Sequence, residues 1–232
     1  MEKIEIVYED NFMLAVDKPA NFIVNRADTH SLETMQDFTE DYLGLDSDEE
    51  GTEYFQRSGI VHRLDKDTSG VLLIAKDKDT FEKLQSQFKE RLVKKEYRAI
   101  ALGHFEQNKT LIDAPLGRNP KNRMTMGVIA AGKEAITEIR LLRNFTIEKL
   151  PYAYLKILPK TGRTHQIRVH LTAVSHPIAA DPIYCSKRQF ALTSTIFPRM
   201  MLHSLSLEVA HPQTGKKILL ESRLPQDFEK YI

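Results

Sequence analysis

The sequence predicts an α+β protein with a mixed, mainly antiparallel central sheet that is flanked by helices and loops. Three observations lead to this class. Strand patterns outnumber helical patterns, and strand pairs recur around short turns as in hairpins. The length of 232 residues fits one domain, spanning 1–232, that can bury a sizeable core.

The first elements along the chain are a hairpin and a helix. Residues 3–8 and 12–17 have strand-like patterns around a short polar turn. Apolar residues then recur at helical spacing, namely Leu32, Met35, Phe38 and Tyr42. Ser31 suits the N-cap of this helix and Gly44 suits its end.

The middle of the chain predicts a loop, a buried strand, a helix and a second strand. Residues 45–58 are polar and acidic, which is typical of a solvated loop. The short apolar run 70–76 predicts a buried strand, and 96–105 predicts another strand. Between them an amphipathic helix is indicated, with Asp79 near its start and apolar positions at Phe81, Leu84, Phe88 and Leu92.

The last third predicts a strand, a helix and a closing hairpin. Residues 153–159 form the strand, which ends at a Pro- and Gly-containing turn. The spacing of apolar residues then predicts a helix over 165–175, with Thr164 as its N-cap. Strand patterns at 202–210 and 216–222 flank a turn and complete the sheet.

Composition and motifs exclude several classes of protein. The single cysteine, Cys185, excludes an intramolecular disulfide framework and fits a reducing compartment. Neither a signal peptide nor a membrane span is recognisable, so we expect a cytoplasmic protein. His165 and His170 are five residues apart rather than four, so no metal site is expected. The glycine-rich phosphate-binding motifs of nucleotide enzymes do not occur in the sequence.

Charge is strongly segregated along the chain, although the formal net charge is only +1. Residues 149–207 contain eight lysines and arginines but one acid, Asp181, which gives +7. Residues 1–57 carry −11, with fifteen acids and four bases. A second acid-free run, 114–133, adds Arg118, Lys121, Arg123 and Lys133. This segregation favours a polyanionic partner such as RNA, unless folding mixes the charges again.

The segment HRLDKDTSG, residues 62–70, contains a candidate reactive group. Asp65 lies among cations just before the predicted buried strand, and Thr68 to Gly70 suit a turn. A carboxylate in such a place can be partly desolvated yet kept ionised by an arginine, as in an active site. It can equally be a surface aspartate that caps a turn, and the segment alone leaves both interpretations open.

A second segment, LPKTGRTHQIRVHL at 158–171, concentrates cations at the start of a predicted helix. Cations there oppose the helix dipole, which indicates another purpose such as binding phosphates or a carboxylate. Arg168 is expected to point inward at the edge of the apolar face, while Arg163 and His165 stay outside. Tyr97, where the amphipathic helix leads into a strand, suits either a core position or stacking on a base.

Together these segments resemble the RluA family of RNA pseudouridine synthases. The similarity follows the order of the family's motifs over nearly the whole chain, in YEDNFMLAVDKPA, GIVHRLDKDTSGVLLIAK, KKEYRAIALGH, LPKTGRTHQIRVHLTAVSHPIAADPIY and LHSLSLEVAHPQTGK. It implies the pseudouridine synthase catalytic fold with an RNA-binding cleft. The implied activity is isomerisation of uridine to pseudouridine in ribosomal or transfer RNA, by base flipping and without cofactor or metal.

The resemblance also implies roles for individual residues. Asp65 is the catalytic aspartate, which either attacks C1′ or takes a proton from C2′, and Arg168 pairs with it. Tyr97 stacks on the target base and assists removal of the C5 proton. Arg63 enters the base stack when the uridine flips out. The remaining candidates, either for positioning RNA or for supporting the cleft, are Lys18, Arg163, His165 and His170.

Departures from the family pattern concern loops and additional domains. Residues 43–57 form an acidic insertion just before the catalytic loop. An N-terminal S4 RNA-binding domain, which many family members carry, is not expected. We therefore expect a monomer in which the catalytic domain itself supplies the affinity for RNA.

Two other functions compete with this prediction. A non-catalytic RNA-binding or RNA-chaperone module on the same fold would also use the basic segments, but it would not need Asp65, Tyr97 and Arg168 together. A glycosidase could use Asp65 with Asp67, but two carboxylates in one turn need not flank a glycosidic bond at the roughly 5 Å or more that such enzymes use.

Overall fold

The computed structural model describes residues 4–26, 33–45 and 51–231. It has eleven strands: β1 Glu5–Glu9, β2 Met13–Lys18, β3 Ser69–Ala75, β4 Lys94–Leu102, β5 Lys109–Asp113, β6 Leu116–Arg118, β7 Met126–Val128, β8 Ile136–Ile147, β9 Leu150–Pro159, β10 Leu202–Ala210 and β11 Lys217–Glu221. The described residues also form six helices: α1 Met35–Leu43, α2 Glu53–Gln56, α3 Lys78–Lys89, α4 Gln166–Ala173, α5 Lys187–Thr193 and α6 Gln226–Glu229. The predicted α+β class with a mixed, mainly antiparallel sheet is confirmed.

The chain divides into two compact units. The first comprises Met1–Lys94 and Ser204–Arg223, and the second comprises Lys95–His203 and Leu224–Ile232. In the first unit the strand order is β1-β2-β3-β10-β11, with antiparallel pairing of β1 with β2, β2 with β3 and β10 with β11. In the second unit β4, β9, β8 and β5 are antiparallel neighbours in that order.

Each unit has its own apolar core. In the first unit all seven residues of β3 are buried, and α3 packs Phe81 and Leu84 into a cluster with Leu73 and Val209. The second core forms around β4 and β9, where small residues such as Ala99 alternate with large ones such as Leu155. A strand buried on both faces is rigid, which makes β3 a firm base for the loop that precedes it.

Two predicted helices exist but start or end at other residues. Helix α1 begins at Met35 and is capped by Thr34, which forms a capping box with Asp37. The predicted cap Ser31 lies outside the described residues, as does Leu32. Helix α3 begins after the N-cap Asp77 and ends at Lys89, so Leu92 lies beyond it. Leu92 is 62% exposed, so it does not belong to the buried face of the helix that the apolar spacing predicted.

The acidic insertion at 43–57 is more than a solvated loop. Residues 46–50 fall outside the described residues, but 53–56 form α2 with Thr52 as its N-cap. Tyr54 is buried in the first core, and its hydroxyl donates a hydrogen bond of 2.8 Å to the Lys76 carbonyl oxygen. The insertion is therefore anchored to the end of β3.

A substitution at Gly70, the second residue of β3, should be severely destabilising. The backbone has φ +113°, and an added Cβ would lie 2.1 Å from the Ser204 carbonyl oxygen. Backbone atoms cannot give way as a flexible side chain can, so we expect Gly70→Ala to lower the free energy of unfolding by about 3 kcal/mol or more. Urea denaturation measures the change.

Gly215→Ala is the matched control for this substitution. Gly215 also has positive φ, +68°, but no heavy atom lies within 4 Å of its added Cβ. Only the strain of the left-handed backbone remains, which costs about 1–2 kcal/mol. Equal losses in the two variants would contradict the close approach of Gly70 to Ser204.

Candidate active site

The loop between residues 61 and 69 holds Asp65 at the entrance to β3. The Thr68 amide donates a hydrogen bond of 3.1 Å to the Asp65 carbonyl oxygen, which closes a β-turn over residues 65–68. The turn was predicted three residues later, but Ser69 and Gly70 already belong to the strand. Asp65 is half-buried, whereas Leu64 before it and Thr68 after it are buried. The aspartate is therefore carried on a short, fixed turn.

Lys18 fixes this turn from inside the first unit. Its side chain is fully buried, and Nζ donates hydrogen bonds of 2.7, 2.8 and 3.0 Å to the carbonyl oxygens of Pro19, Phe22 and Lys66. Three carbonyl acceptors match the three donors of an ammonium group. Because its ammonium lies in the protein interior, burial disfavours an RNA contact for Lys18, and a role in supporting the cleft stays the prediction for it. Its role is to hold the turn that carries Asp65.

His62 fixes the other end of the loop. Its Nε2 accepts a hydrogen bond of 3.0 Å from the Leu73 amide, so the neutral ring carries its proton on Nδ1. The ring also stacks on Phe88 of α3, with centroids 4.7 Å apart. Arg63, the next residue, is exposed. The sequence interpretation overlooked His62, although a histidine beside a buried strand is a common anchoring residue.

Tyr97 lies in the second unit, on the antiparallel pair of β4 and β9. It pairs with Ile157 and is half-buried against the second core. Nearby, Glu96 forms ion pairs with Arg98 and Lys156, so these two cations of the β4–β9 pair are matched by an acid. The position therefore combines a ring anchored on the core with partial exposure, as a stacking residue requires.

Helix α4 starts differently from its prediction. Its N-cap is His165 in the left-handed conformation, φ 55°, and His165 makes no side-chain capping bond. The predicted cap Thr164 lies one residue earlier. Gln166 organises the start instead, because its Oε1 accepts from the Thr161 hydroxyl and the Arg163 amide. The side-chain amide of Gln166 thus holds the residues just before α4 in place, with no side-chain cap from His165.

Arg168 points inward from α4, as predicted, and is only 2% exposed. Its Nε and Nη2 donate hydrogen bonds of 2.8 and 2.9 Å to the two oxygens of Asp181, which is 0% exposed. Asp181 Oδ1 also accepts from the amides of Ile183 and Tyr184. The bidentate ion pair fixes the plane of the guanidinium, and the edge that carries Nε and Nη2 faces the Asp181 carboxylate.

Tyr184 completes the surroundings of Arg168. The guanidinium carbon lies 5.1 Å from the centroid of the Tyr184 ring, which is a cation–π distance. The Tyr184 hydroxyl lies 2.9 Å from Nδ1 of the half-buried His165 and accepts a bond of 3.0 Å from the Met126 amide. Arg168 is thus positioned by an acid on one side and by an aromatic face on the other.

His170, predicted either to position RNA or to support the cleft, is fully buried. Nε2 lies 3.0 Å from the Ala114 carbonyl oxygen, so it donates, and Nδ1 accepts from the Thr137 hydroxyl at 2.8 Å. Burial disfavours an RNA contact, and a role in supporting the cleft stays the prediction, since the ring joins α4 to β8 and to residue 114. Burial lowers the pKa of His170 below its usual 6.5.

This lowered pKa predicts a pH dependence of stability. Below about pH 6.5 the unfolded chain binds a proton at His170 more readily than the folded chain. The free energy of unfolding that His170 contributes is therefore present above pH 6.5 and falls as the pH drops through the folded pKa. We expect chemical denaturation between pH 7.5 and 5.5 to show a smaller acid loss in His170→Gln than in the wild type.

His104→Gln is the control for that measurement. His104 is exposed, and Nε2 lies 3.0 Å from the Phe145 carbonyl oxygen, so the same change is made at a histidine open to solvent. The control should keep the acid loss of the wild type. If His170→Gln also kept the full acid loss, the buried neutral ring would not be its source.

Arg163 is half-buried and is used in part by the protein. Its Nε donates a hydrogen bond of 3.0 Å to the Glu134 carbonyl oxygen. This bond ties the start of α4 to the end of the acid-free run 114–133. The guanidinium has five donors, so a phosphate contact remains compatible with this bond.

The basic segment 149–207 is partly neutralised by folding. Three of its cations form ion pairs with acids: Lys156 with Glu96, Arg168 with Asp181, and Arg199 with Asp227. Two of these acids lie outside the segment, so the charge segregation of the sequence overstates the basic surface. Exposed cations of the segment are Lys149, Lys160, Lys187 and Arg188.

The acid-free run 114–133 folds as a two-stranded hairpin, which we call the basic hairpin. Strands β6 and β7 pair antiparallel in it, and Arg118 is opposite Met126. All four of its cations are exposed: Arg118, Lys121, Arg123 and Lys133. Met124 at the tip is 82% exposed. This hairpin is the densest group of exposed cations that the sequence had indicated.

The sequence interpretation missed Asp181 and Tyr184 as parts of the site. The signal for Asp181 was available, because a single acid in a basic segment is a natural partner for a cation that points inward. Tyr184 gave no comparable signal. Its contacts depend on the chain reversal at Asp181, which brings residue 184 back to α4.

No helix in the described part of the chain is long and apolar enough to cross a membrane.

Comparison with known proteins gives a consistent family. Residues 12–173 match the RNA pseudouridylate synthase family. Relatives include the ribosomal large subunit pseudouridine synthases D of Pseudomonas aeruginosa and Nitrosomonas europaea, each 38% identical over 97% of this chain. The chain spans 70% and 63% of the length of these two relatives.

Solved structures agree with the sequence relatives. The human RNA pseudouridylate synthase domain containing 1 aligns with a TM-score of 0.76 and 27% identity, over 97% of this chain and 84% of its own. The human RNA pseudouridylate synthase domain containing 4 aligns with a TM-score of 0.72, over 97% of this chain and 90% of its own. At 22% identity, the second likeness concerns the fold alone.

Proposed function

The chain belongs to the family of RNA pseudouridylate synthases, which are isomerases of RNA, and we propose that its substrate is large-subunit ribosomal RNA. The names of the relatives at 38% identity support this choice over transfer RNA. The observation that carries the proposal is the fixed turn at 65–68, which presents a half-buried Asp65. A non-catalytic RNA-binding module would not need an aspartate on a fixed turn just before a buried strand.

In the proposed reaction the C1′–N1 bond of a uridine breaks, the uracil turns, and C5 forms a bond to C1′. C5 then loses its proton and N1, freed from the sugar, takes up a proton, so the product has the composition of the substrate. Asp65 begins the reaction by attack on C1′ or by removal of the C2′ proton. Both routes need an ionised, oriented carboxylate with restricted access to water.

Arg168 and Tyr97 complete the proposed catalytic group. Arg168 is proposed to supply positive charge to the reaction, and Asp181 and Tyr184 fix the orientation of its guanidinium. Tyr97 stacks on the target base and assists removal of the C5 proton. Its half-buried position on a rigid pair of strands supports this role, because a stacking ring must be both held and accessible.

RNA binding is proposed to rest on exposed cations. Arg63 is exposed next to the catalytic turn, which suits a side chain that enters the base stack as the uridine leaves it. The half-buried Arg163 and His165, together with the basic hairpin, supply phosphate contacts. Their charges make the affinity for RNA depend steeply on salt.

We further propose that the chain acts in the cytoplasm as a monomer. Its single cysteine suits a reducing compartment, and the relatives named for ribosomal RNA support the same place of action. No residue of a second copy is needed for the roles assigned above.

The choice of substrate is tested by mapping pseudouridine in two RNA classes. The purified protein is incubated with unmodified transcripts of large-subunit ribosomal RNA and, separately, with unmodified transfer RNA transcripts. Pseudouridine is then located by carbodiimide adducts that stop reverse transcription. We expect stops in the ribosomal transcript that are absent with Asp65→Asn. Stops only in transfer RNA would overturn the choice of substrate.

A further inference from the structure

Several contacts attach the basic hairpin and its flanks to helix α4, which carries Arg168, and one of them is the bond from Arg163 Nε to the Glu134 carbonyl oxygen. A small apolar cluster joins Leu116 and Ala135 of the hairpin and its flank to Val169 of α4. The His170 ring donates to the Ala114 carbonyl oxygen at the base of the hairpin. Leu116 is the first residue of β6, and Met126 and Tyr184 also pack against this cluster, so these contacts hold the base of the hairpin.

Tyr184 makes a further attachment, through a hydrogen bond to strand β7. Its hydroxyl accepts a hydrogen bond of 3.0 Å from the amide of Met126, the first residue of β7. The same oxygen lies 2.9 Å from His165 Nδ1. A phenol can accept one bond and donate one, so both partners can be satisfied at once. The hydroxyl thus fastens the returning strand of the hairpin to the start of α4.

The Tyr184 ring has a separate contact with Arg168. The guanidinium carbon lies 5.1 Å from the ring centroid, and the Tyr184 amide donates to Asp181 Oδ1. Asp181 in turn binds Nε and Nη2 of Arg168. One residue therefore contacts the catalytic arginine through its ring and the RNA-binding hairpin through its hydroxyl.

We propose that Tyr184 is a positioning residue that couples the basic hairpin to Arg168, so that RNA held by the hairpin is kept in register with the arginine. This rests on the proposed function, because it assumes that the hairpin cations bind the substrate RNA. The two contacts use different atoms of one side chain. The hydroxyl serves RNA binding through the hairpin, and the ring serves the reaction through Arg168.

Separate substitutions distinguish the two contacts. Tyr184→Phe removes the hydroxyl and keeps the ring, so KM for RNA should rise about fivefold, the effect of one hydrogen bond, while kcat stays within about twofold. Tyr184→Leu removes both, so kcat should also fall about tenfold. An unchanged KM in Tyr184→Phe, or a fall in kcat equal to that of Tyr184→Leu, would overturn the coupling.

Tyr231→Phe is the matched control in the same unit. Its hydroxyl donates a bond of 2.7 Å to the Ile196 carbonyl oxygen, so the same atom and one hydrogen bond are lost away from α4. We expect no change in KM for RNA. A rise equal to that of Tyr184→Phe would attribute the effect to general loss of stability and would contradict the proposal.

A double-mutant cycle tests whether the hairpin transmits the effect. In a Lys121→Ala/Arg123→Ala background the tip loses two exposed cations, so adding Tyr184→Phe should raise KM by less than about twofold. A full fivefold rise in that background would show that Tyr184 acts on RNA binding by another route.

Hydrogen exchange separates this proposal from the proposed function. The Met126 amide is bonded to Tyr184, so its exchange should quicken about fivefold or more in Tyr184→Phe but not in Tyr231→Phe. This result needs neither RNA nor activity. Slow exchange that is unchanged in Tyr184→Phe would overturn the attachment, whereas a wild type that makes no pseudouridine would overturn only the proposed function.

Discussion

Asp65→Asn should lower kcat for pseudouridine formation by at least about 10³-fold, because an amide can neither attack C1′ nor accept the C2′ proton. The substitution preserves the shape of the side chain. The turn itself depends on the carbonyl oxygen of residue 65 and on the bond from Lys18 to the Lys66 carbonyl oxygen, neither of which is changed. Binding of RNA should remain, since phosphate contacts supply most of it. Release of tritium from RNA labelled at uridine C5 measures the rate.

Asp67→Asn is the control for this prediction. Asp67 lies in the same β-turn, two residues from Asp65, and carries the same charge. Loss of its carboxylate should leave kcat within about twofold, because one catalytic carboxylate is enough for the proposed reaction. Equal losses in the two variants would instead favour a pair of carboxylates, as in the competing glycosidase function.

Asp181→Asn should cause the largest loss of stability among substitutions in the proposed site. The change leaves the buried charge of Arg168 without its bidentate carboxylate, and breaking a buried ion pair costs about 3–5 kcal/mol. The side-chain oxygen of the new amide could still accept hydrogen bonds from the backbone amides of Ile183 and Tyr184, so the loss reports mainly on the charge. Denaturant unfolding of the purified variant gives the free energy.

Two further variants separate charge from packing. Asp227→Asn removes the partner of Arg199 at a more exposed pair, so its cost should be only about 1 kcal/mol. The double change Arg168→Met with Asp181→Asn removes both buried charges, keeps an acceptor for the amides of Ile183 and Tyr184, and should recover much of the stability. It should not recover activity, since the proposed reaction needs the guanidinium. Recovered activity would exclude Arg168 from the chemistry.

The sequence predicted those parts of the fold that depend on local patterning. Strand β3 was predicted within a residue at each end, because an uninterrupted apolar run between polar loops has few other structures available. Helix caps were predicted less well. Thr34 caps α1 where Ser31 was predicted, and His165 is the N-cap of α4 where Thr164 was predicted, because several polar residues near a helix start can cap it and the chosen one depends on tertiary packing.

Among the residues of the proposed site, too, some features could be predicted from local sequence and others could not. The inward direction of Arg168 followed from its place beside the apolar face of α4, and burial agrees with it. For Lys18 and His170 the sequence left contact with RNA and support of the cleft both open, because it does not show that their side chains bond to carbonyl oxygens inside the protein. Long-range partners such as Asp181 and Tyr184 depend on how distant segments fold together, which periodicity does not encode.

The most direct test of the account is the nucleoside balance of RNA treated with the purified protein. After complete digestion, chromatography resolves uridine, pseudouridine and free uracil, which are then quantified. The account predicts that pseudouridine rises by as much as uridine falls and that no uracil is released, since the base never leaves the enzyme. RNA with unchanged uridine, or a loss of uridine matched by free uracil, would contradict it.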